Sequence, residues 1–189
     1  TAAVRAPQAA GAPTSCVIPG LGVENIAFRD AAGNLHELWR DARGHGTTNL
    51  TANAGAPKAA GDPFAYVDPT NNNVILLYRG TDNNVHSLYW STGAVGHDNL
   101  TGSINAPKAV GDPVGWWTPD NVHHVVYRSA DGHLRELWWQ GTGPVGHGDL
   151  TALAGATPAA GDASAYFDPA RGTNIVAFRG TDGRIRSVY

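Results

Sequence analysis

A step of 50 residues runs through the chain. Gly11-Ala12-Pro13, Gly61-Asp62-Pro63, Gly111-Asp112-Pro113 and Gly161-Asp162-Ala163 recur at that spacing. So do Asn49-Leu50-Thr51, Asn99-Leu100-Thr101 and Asp149-Leu150-Thr151, and Ala56-Pro57-Lys58 with Ala106-Pro107-Lys108. An aromatic-Arg pair marks every copy, at Phe28-Arg29, Tyr78-Arg79, Tyr127-Arg128 and Phe178-Arg179. The third pair arrives one residue early, and a longer loop after Trp139 restores the frame. Such a chain must stack equivalent units, because one repeat cannot bury an apolar face by itself. The copies run over 1–50, 51–100, 101–150 and 151–189 of a single domain spanning 1–189.

Each copy reads as strands. Val74-Ile75-Leu76-Leu77-Tyr78 is a continuous apolar run rich in β-formers, which predicts a strand covered on both faces. Ile175-Val176-Ala177-Phe178 and Val125-Val126-Tyr127 repeat it. Turn residues follow, at Ala32-Gly33-Asn34, Asp82-Asn83-Asn84, Asp131-Gly132-His133 and Asp182-Gly183-Arg184, of the kind that tolerates positive φ in a hairpin. A second strand comes next, such as Leu35 to Arg40 or Leu134 to Trp139. A strand near Phe64 to Val67 precedes the pair, and a short segment such as Gly96 to Thr101 closes the unit. No window keeps helical periodicity, and Ala-Gly-Pro linkers such as Ala54 to Gly61 make poor helix interiors.

Four short strands per 50 residues is the arithmetic of a propeller blade. The expected fold is therefore an all-β propeller of four blade repeats. Thr1 aligns with Thr51 and Tyr189 with Tyr89, so the fourth copy stops before the counterpart of Trp90 to Leu100 and lacks its final strand. Four repeats can close as a four-bladed ring, or two chains can meet as a homodimer in an eight-bladed one. The sequence has no Met, which fits a processed form, a domain or an engineered piece of a longer array.

Composition narrows the function. Only 15% of the 189 residues are charged and the net charge is -3, with no basic run, so a nucleic-acid partner is not expected. No apolar stretch approaches the ~20 residues that span a bilayer. Cys16 is the only cysteine, which excludes an intramolecular disulfide. No zinc motif, phosphate-cradling loop or nucleophile elbow is present, so neither a cofactor nor catalysis is expected. Glu37 and Glu136 lie in different repeats, far from the arrangement of a glycosidase pair.

Residue types present in every copy serve the blade most simply. Arg29, Arg79, Arg128 and Arg179 are expected to pair with a carboxylate or with backbone carbonyls between blades, since a half-buried guanidinium needs partners. Asp62, Asp112 and Asp162 read as loop anchors. His45, His97 and His147 recur before the Leu-Thr segment and read as structural, since no second ligand stands at metal spacing. The sequons Asn49-Leu50-Thr51 and Asn99-Leu100-Thr101 reflect a Leu-Thr requirement of the repeat.

The second hairpin strand varies between copies. Alternation puts Leu35, Glu37 and Trp39 on one face, and Leu134, Glu136 and Trp138 likewise. The other two copies carry Ser87 with Tyr89 and Ser187 with Tyr189 at those places. A carboxylate beside an indole suits a sugar: the ring covers the C–H face of a pyranose and the carboxylate accepts from its hydroxyls. The same residues equally fit wedges between blades, an ambiguity shared by Trp90, Trp116, Trp117 and Trp139.

The hairpin Ile26-Ala27-Phe28-Arg29-Asp30-Ala31-Ala32-Gly33-Asn34-Leu35-His36-Glu37 resembles the repeat of the Aleuria-type fucose-binding propeller lectins, and more broadly the tectonin-like ones. That resemblance implies a sugar between neighbouring blades, held by an arginine on the first hairpin strand, a glutamate on the second and an aromatic of the next blade. Glu37 and Glu136 match the glutamate. The arginine position holds Asn25 and His124, so the Arg–Glu clamp is complete nowhere. The expected function is thus a secreted, multivalent, lectin-like carbohydrate-binding propeller that takes neutral saccharides through Glu37, Trp39, Asn25, Glu136, Trp138, His124, Trp90 and Trp139. The alternative is a structural or protein-interaction propeller.

Overall fold

The computed structural model describes residues 4–189, so the match of Thr1 to Thr51 lies outside the described residues. Strands β1 (Thr14–Ile18), β2 (Val23–Arg29), β3 (Leu35–Asp41) and β4 (Gly44–Asn49) form a first antiparallel sheet in chain order. β5 (Phe64–Asp68), β6 (Asn73–Arg79), β7 (Val85–Trp90) and β8 (Gly96–Asn99) form the second. β9 (Val114–Thr118), β10 (Val122–Arg128), β11 (Leu134–Gln140) and β12 (Gly146–Asp149) form the third. The fourth has three strands, β13 (Ser164–Asp168), β14 (Thr173–Arg179) and β15 (Ile185–Val188). The chain is all-β, and each sheet is an up-and-down antiparallel meander.

The sheets group into two compact units, one through Asn99 and one from Leu100 to Tyr189. Each unit packs its two sheets over the same set of positions. In the first, Ala27, Leu35 and Leu50 meet Ala59, Leu76 and Tyr78. In the second, Val126, Leu134 and Leu150 meet Ala159, Val176 and Phe178. The run Val74 to Tyr78 is buried along its whole length, as an uninterrupted apolar strand requires.

The Leu-Thr segment departs from expectation. The fourth strand ends at Asn49 and at Asp149, and the chain turns into one-turn helices, α1 (Leu50–Ala54) and α2 (Leu150–Leu153). Asn49 Oδ1 accepts from the Ala52 N–H at 3.0 Å and Asp149 Oδ1 from the Ala152 N–H at 2.9 Å, which caps both helices. Helices this short leave no periodic trace in a sequence. Thr51 and Thr151 are buried, and their hydroxyls accept from the Leu35 and Leu134 N–H groups at 3.3 and 2.9 Å. Leu fills the core and Thr ties the turn to the third strand, which explains why Leu-Thr recurs.

The repeated arginines and aspartates join neighbouring sheets. Arg29 Nη2 lies 3.5 Å from Asp62 Oδ1, and Arg128 Nε 3.7 Å from Asp162 Oδ1. Asp62 also accepts from the Ala12 N–H at 2.9 Å. Arg179 caps the Ala160 carbonyl. The histidines do not form one set. His97 pairs with Leu88 and His147 with Leu137, but the residue opposite Leu38 is Thr47, so His45 stands two places out of register.

Candidate functional site

In the second unit, β11 presents Glu136 on the face that β10 shares through His124 and Val126. The His124 Nδ1–H donates to Glu136 Oε1 at 2.8 Å. A carboxylate can only accept, so the contact fixes a proton on Nδ1. On β9, Trp116 pairs with His124 in register and stacks on its ring at 5.1 Å and 7°. The Trp116 indole N–H donates at 2.8 Å to Oδ1 of Asn174 on β14, in the neighbouring sheet. Trp116, Glu136, Asn174, Leu150, Val176 and Val188 border a cavity of about 350 Å³ that Tyr189 and Leu153 rim. Glu136 Oε2 and the Asn174 amide N–H₂ keep hydrogen-bonding capacity there, an acceptor and a donor beside an apolar wall.

The first unit places the equivalent residues differently. The Trp90 indole N–H donates to Glu37 Oε1 at 2.8 Å, and Thr48 also hydrogen-bonds this carboxylate. Burial pushes the Glu37 carboxyl above its usual range, against the opposing pull of the Trp90 and Thr48 hydrogen bonds. Glu37 and Trp90 are thus brought together, but each satisfies the other. Asn25, 3% exposed, has no partner for either end of its amide among the described residues. It sits across the ladder from Trp39, two residues along from Glu37.

The remaining residues divide by face. Trp39 and Trp138 lie over Gly46 and Gly146, where an added Cβ would stand 2.6 and 2.7 Å from the indole, so these indoles need a glycine beneath them. Trp138 is half exposed and does not border the cavity. Trp139 points to the opposite face of β11 and stacks on His123 at 4.7 Å and 3°. Cys16 lies opposite Asn25, and burial, with a contribution from the Glu37 charge, pushes its thiol up to about 11, which leaves it unreactive.

Asn174 stands outside the set read from the sequence. Its signal is a polar residue where the second copy has Val74, at the head of an otherwise apolar strand. The place of Trp116 is filled by Cys16 and Tyr66 in the first two copies.

No family model matches the sequence, and no curated protein matches it either. Among solved structures, the chain is similar to a fucose lectin from Kordia zhangzhouensis bound to methyl-fucoside, with a TM-score of 0.52 at 18% identity over 72% of this chain and 97% of that one. It is similar to the six-bladed β-propeller Aleuria aurantia lectin, with a TM-score of 0.58 at 15% identity over 93% of this chain and 58% of that one. An α-L-arabinofuranosidase from Podospora anserina gives a TM-score of 0.55 at 16% identity over 97% of this chain and 64% of that one. The structural neighbours thus include the propeller lectins whose repeat the sequence resembles, and the chain spans little more than half the length of the Aleuria lectin.

Proposed function

We propose that the protein is a carbohydrate-binding β-propeller lectin whose saccharide site is the cavity at Glu136. The observation that carries this reading is the junction of two neighbouring sheets, where a carboxylate oriented by His124 faces the Asn174 amide across an apolar wall. A neutral pyranose fits that chemistry: one hydroxyl donates to Glu136, one oxygen accepts from Asn174, and the C–H face lies on Val176, Val188 and Leu150. His124 stands where the resembled family has arginine, so a pair at this position is made with imidazole. A single carboxylate borders the cavity, whereas glycoside hydrolysis takes two, which favours binding over cleavage.

In the same reading the four sheets are propeller blades, a second copy is the candidate to complete the ring, and the protein acts outside the cell on displayed glycans. In the first unit Trp90 hydrogen-bonds Glu37, and the counterpart of Trp90 in the fourth copy would fall past Tyr189. A glycan array with labelled protein tests the proposal, with α-L-fucosides included because structural neighbours hold them. The expected result is binding to one class of neutral sugar that falls at least tenfold in Glu136→Gln, a loss of about 1.4 kcal/mol. Undiminished binding by that variant, or a blank array from folded protein, overturns it.

A further inference from the structure

The second sheet holds a buried imidazole with both nitrogens engaged. His86 on β7 is wholly buried, stands opposite Tyr78 on β6 and stacks on its ring at 5.2 Å and 23°. Its Nε2 lies 3.0 Å from Asp82 Oδ1 in the hairpin turn, and its Nδ1 lies 3.0 Å from Nε2 of His97 on β8. Gly80 permits the first contact, because a Cβ there would stand 2.6 Å from Asp82 Oδ1 and 2.8 Å from His86 Nε2. Strand pairing permits the second. His97 is opposite Leu88, which makes it the diagonal neighbour of His86 on the same face. Neither neighbouring copy repeats the chain of three groups. The first has Asp30 and His36 but Thr47 opposite Leu38, and the third has His147 but Arg135 in place of His86.

With both rings neutral, these contacts admit one arrangement of protons. The Asp82 carboxylate accepts, so His86 carries its proton on Nε2 and has a bare Nδ1. That Nδ1 accepts in turn, so the His97 proton sits on Nε2 and its lone pair on Nδ1. We infer that Asp82, His86 and His97 form a proton relay that clamps β8 to its sheet at neutral pH and releases it in acid. A first added proton enters at His97 Nδ1 and leaves both bonds in place. A second sets a hydrogen on His86 Nδ1 against the His97 N–H, which brings two donors and two cations together. β8 is the strand that gives way, since it has four residues, lies at the edge of its sheet and is paired there with β7 alone. The release is local, because β5, β6 and β7 keep their own pairings.

The surroundings favour the clamped form above the ordinary histidine range. Burial and the neighbouring His86 push the His97 imidazole down, against the opposing pull of Asp98 and Asp82. Burial raises the Asp82 carboxyl, but the hydrogen bonds from His86 and Asn84 outweigh it and keep it an acceptor. Of the elements packed on β7, β6 brings Tyr78, which burial holds protonated and whose hydroxyl donates to the Pro57 carbonyl. Alternation turns Arg79 to the other face, where it reaches Asn83, and α1 carries no titratable side chain. An imidazole held below its unfolded value contributes stability above about pH 6.5 and loses it as pH falls through the native value.

Amide hydrogen exchange by NMR on the whole chain, at about pH 7.5 and about pH 5 and scaled to intrinsic rates, tests the inference. Protection in the β7–β8 ladder is expected to fall at least about tenfold at the lower pH, while Val74 to Tyr78 keep theirs. His97→Gln offers His86 Nδ1 an amide donor that does not titrate, so its β8 protection is expected to change less than about twofold. The ring nitrogen shifts give a reading that needs no variant: both imidazoles are expected as Nε2–H tautomers at about pH 7.5. An Nδ1–H tautomer at either ring overturns the relay. Protection that does not fall in the parent, or that falls equally in His97→Gln, overturns the release.

Discussion

Two glutamates at one repeat position have different partners. Glu136 is paired by His124 and borders a cavity, while Glu37 is buried beneath Trp90. The sequence marks both as a carboxylate beside an indole, and that much is legible because strand alternation is strict. Trp90, the partner of Glu37, lies one sheet away, and its counterpart in the fourth copy would fall past Tyr189. Burial raises the Glu37 carboxyl, so the native state binds its proton more tightly than the unfolded chain does. Stability from this group is therefore present at acid pH and lost as pH rises through the native value. Glu37→Gln keeps an acceptor for the Trp90 indole without the buried charge. Thermal melts at pH 8 are expected to show it a degree or two above the parent, with the difference vanishing towards pH 4. A variant less stable than the parent at pH 8 would contradict this account of the buried carboxylate.

The element most misread from sequence is the end of the fourth strand. Strand and hairpin signals extend over several residues and survive in a pattern, whereas a one-turn helix depends on one cap and one tie. Asp149 supplies the cap at the second unit and Thr151 the tie, accepting from the Leu134 N–H in a buried setting. His45 was grouped with His97 and His147 for a related reason: the Gly-His dipeptide is visible in sequence, but register is set by loop length. Thr151→Val preserves shape and removes the acceptor, leaving a buried N–H unpaired at a cost of about 1–3 kcal/mol. Urea unfolding should register a lower midpoint at unchanged slope, the product of shift and slope matching that loss. The exposed Leu153→Ala change, on the same short helix, should leave the midpoint almost unmoved.

Across the whole molecule, one acid closes each hairpin. Asp82, Asp131 and Asp182 occupy equivalent turn positions, and in the first copy Asp30 substitutes from two residues earlier, where Ala32 fills the shared place. Each meets a cation-forming residue on the following strand: His36, His86, Arg135 or Arg186. The turn residues are readable as hairpin formers, but the pairing is not, because His fills the role in the first two copies and Arg in the last two. The Ser129 hydroxyl, the His133 N–H and Arg135 hold Asp131 at about 2 despite some burial. Asp30 is also held at about 2, the Asn34 and His36 hydrogen bonds outweighing its burial. Asp82 and Asp182 are lowered too, the latter chiefly by Arg186. A carboxyl held below its unfolded value contributes stability above about pH 4 and loses it as pH falls towards about 2. Four such groups in four sheets make acid a global stress, applied as thirteen Lys and Arg and eight His become an unbalanced positive charge. Melting temperature is therefore expected to hold between pH 5 and 7 and to fall steeply below about pH 4. Asp131→Asn should melt lower than the parent at pH 6 and converge with it by about pH 2, since the parent has then lost the same charge. A constant gap between the two across that range would place the contribution of Asp131 in turn geometry instead of its ionisation.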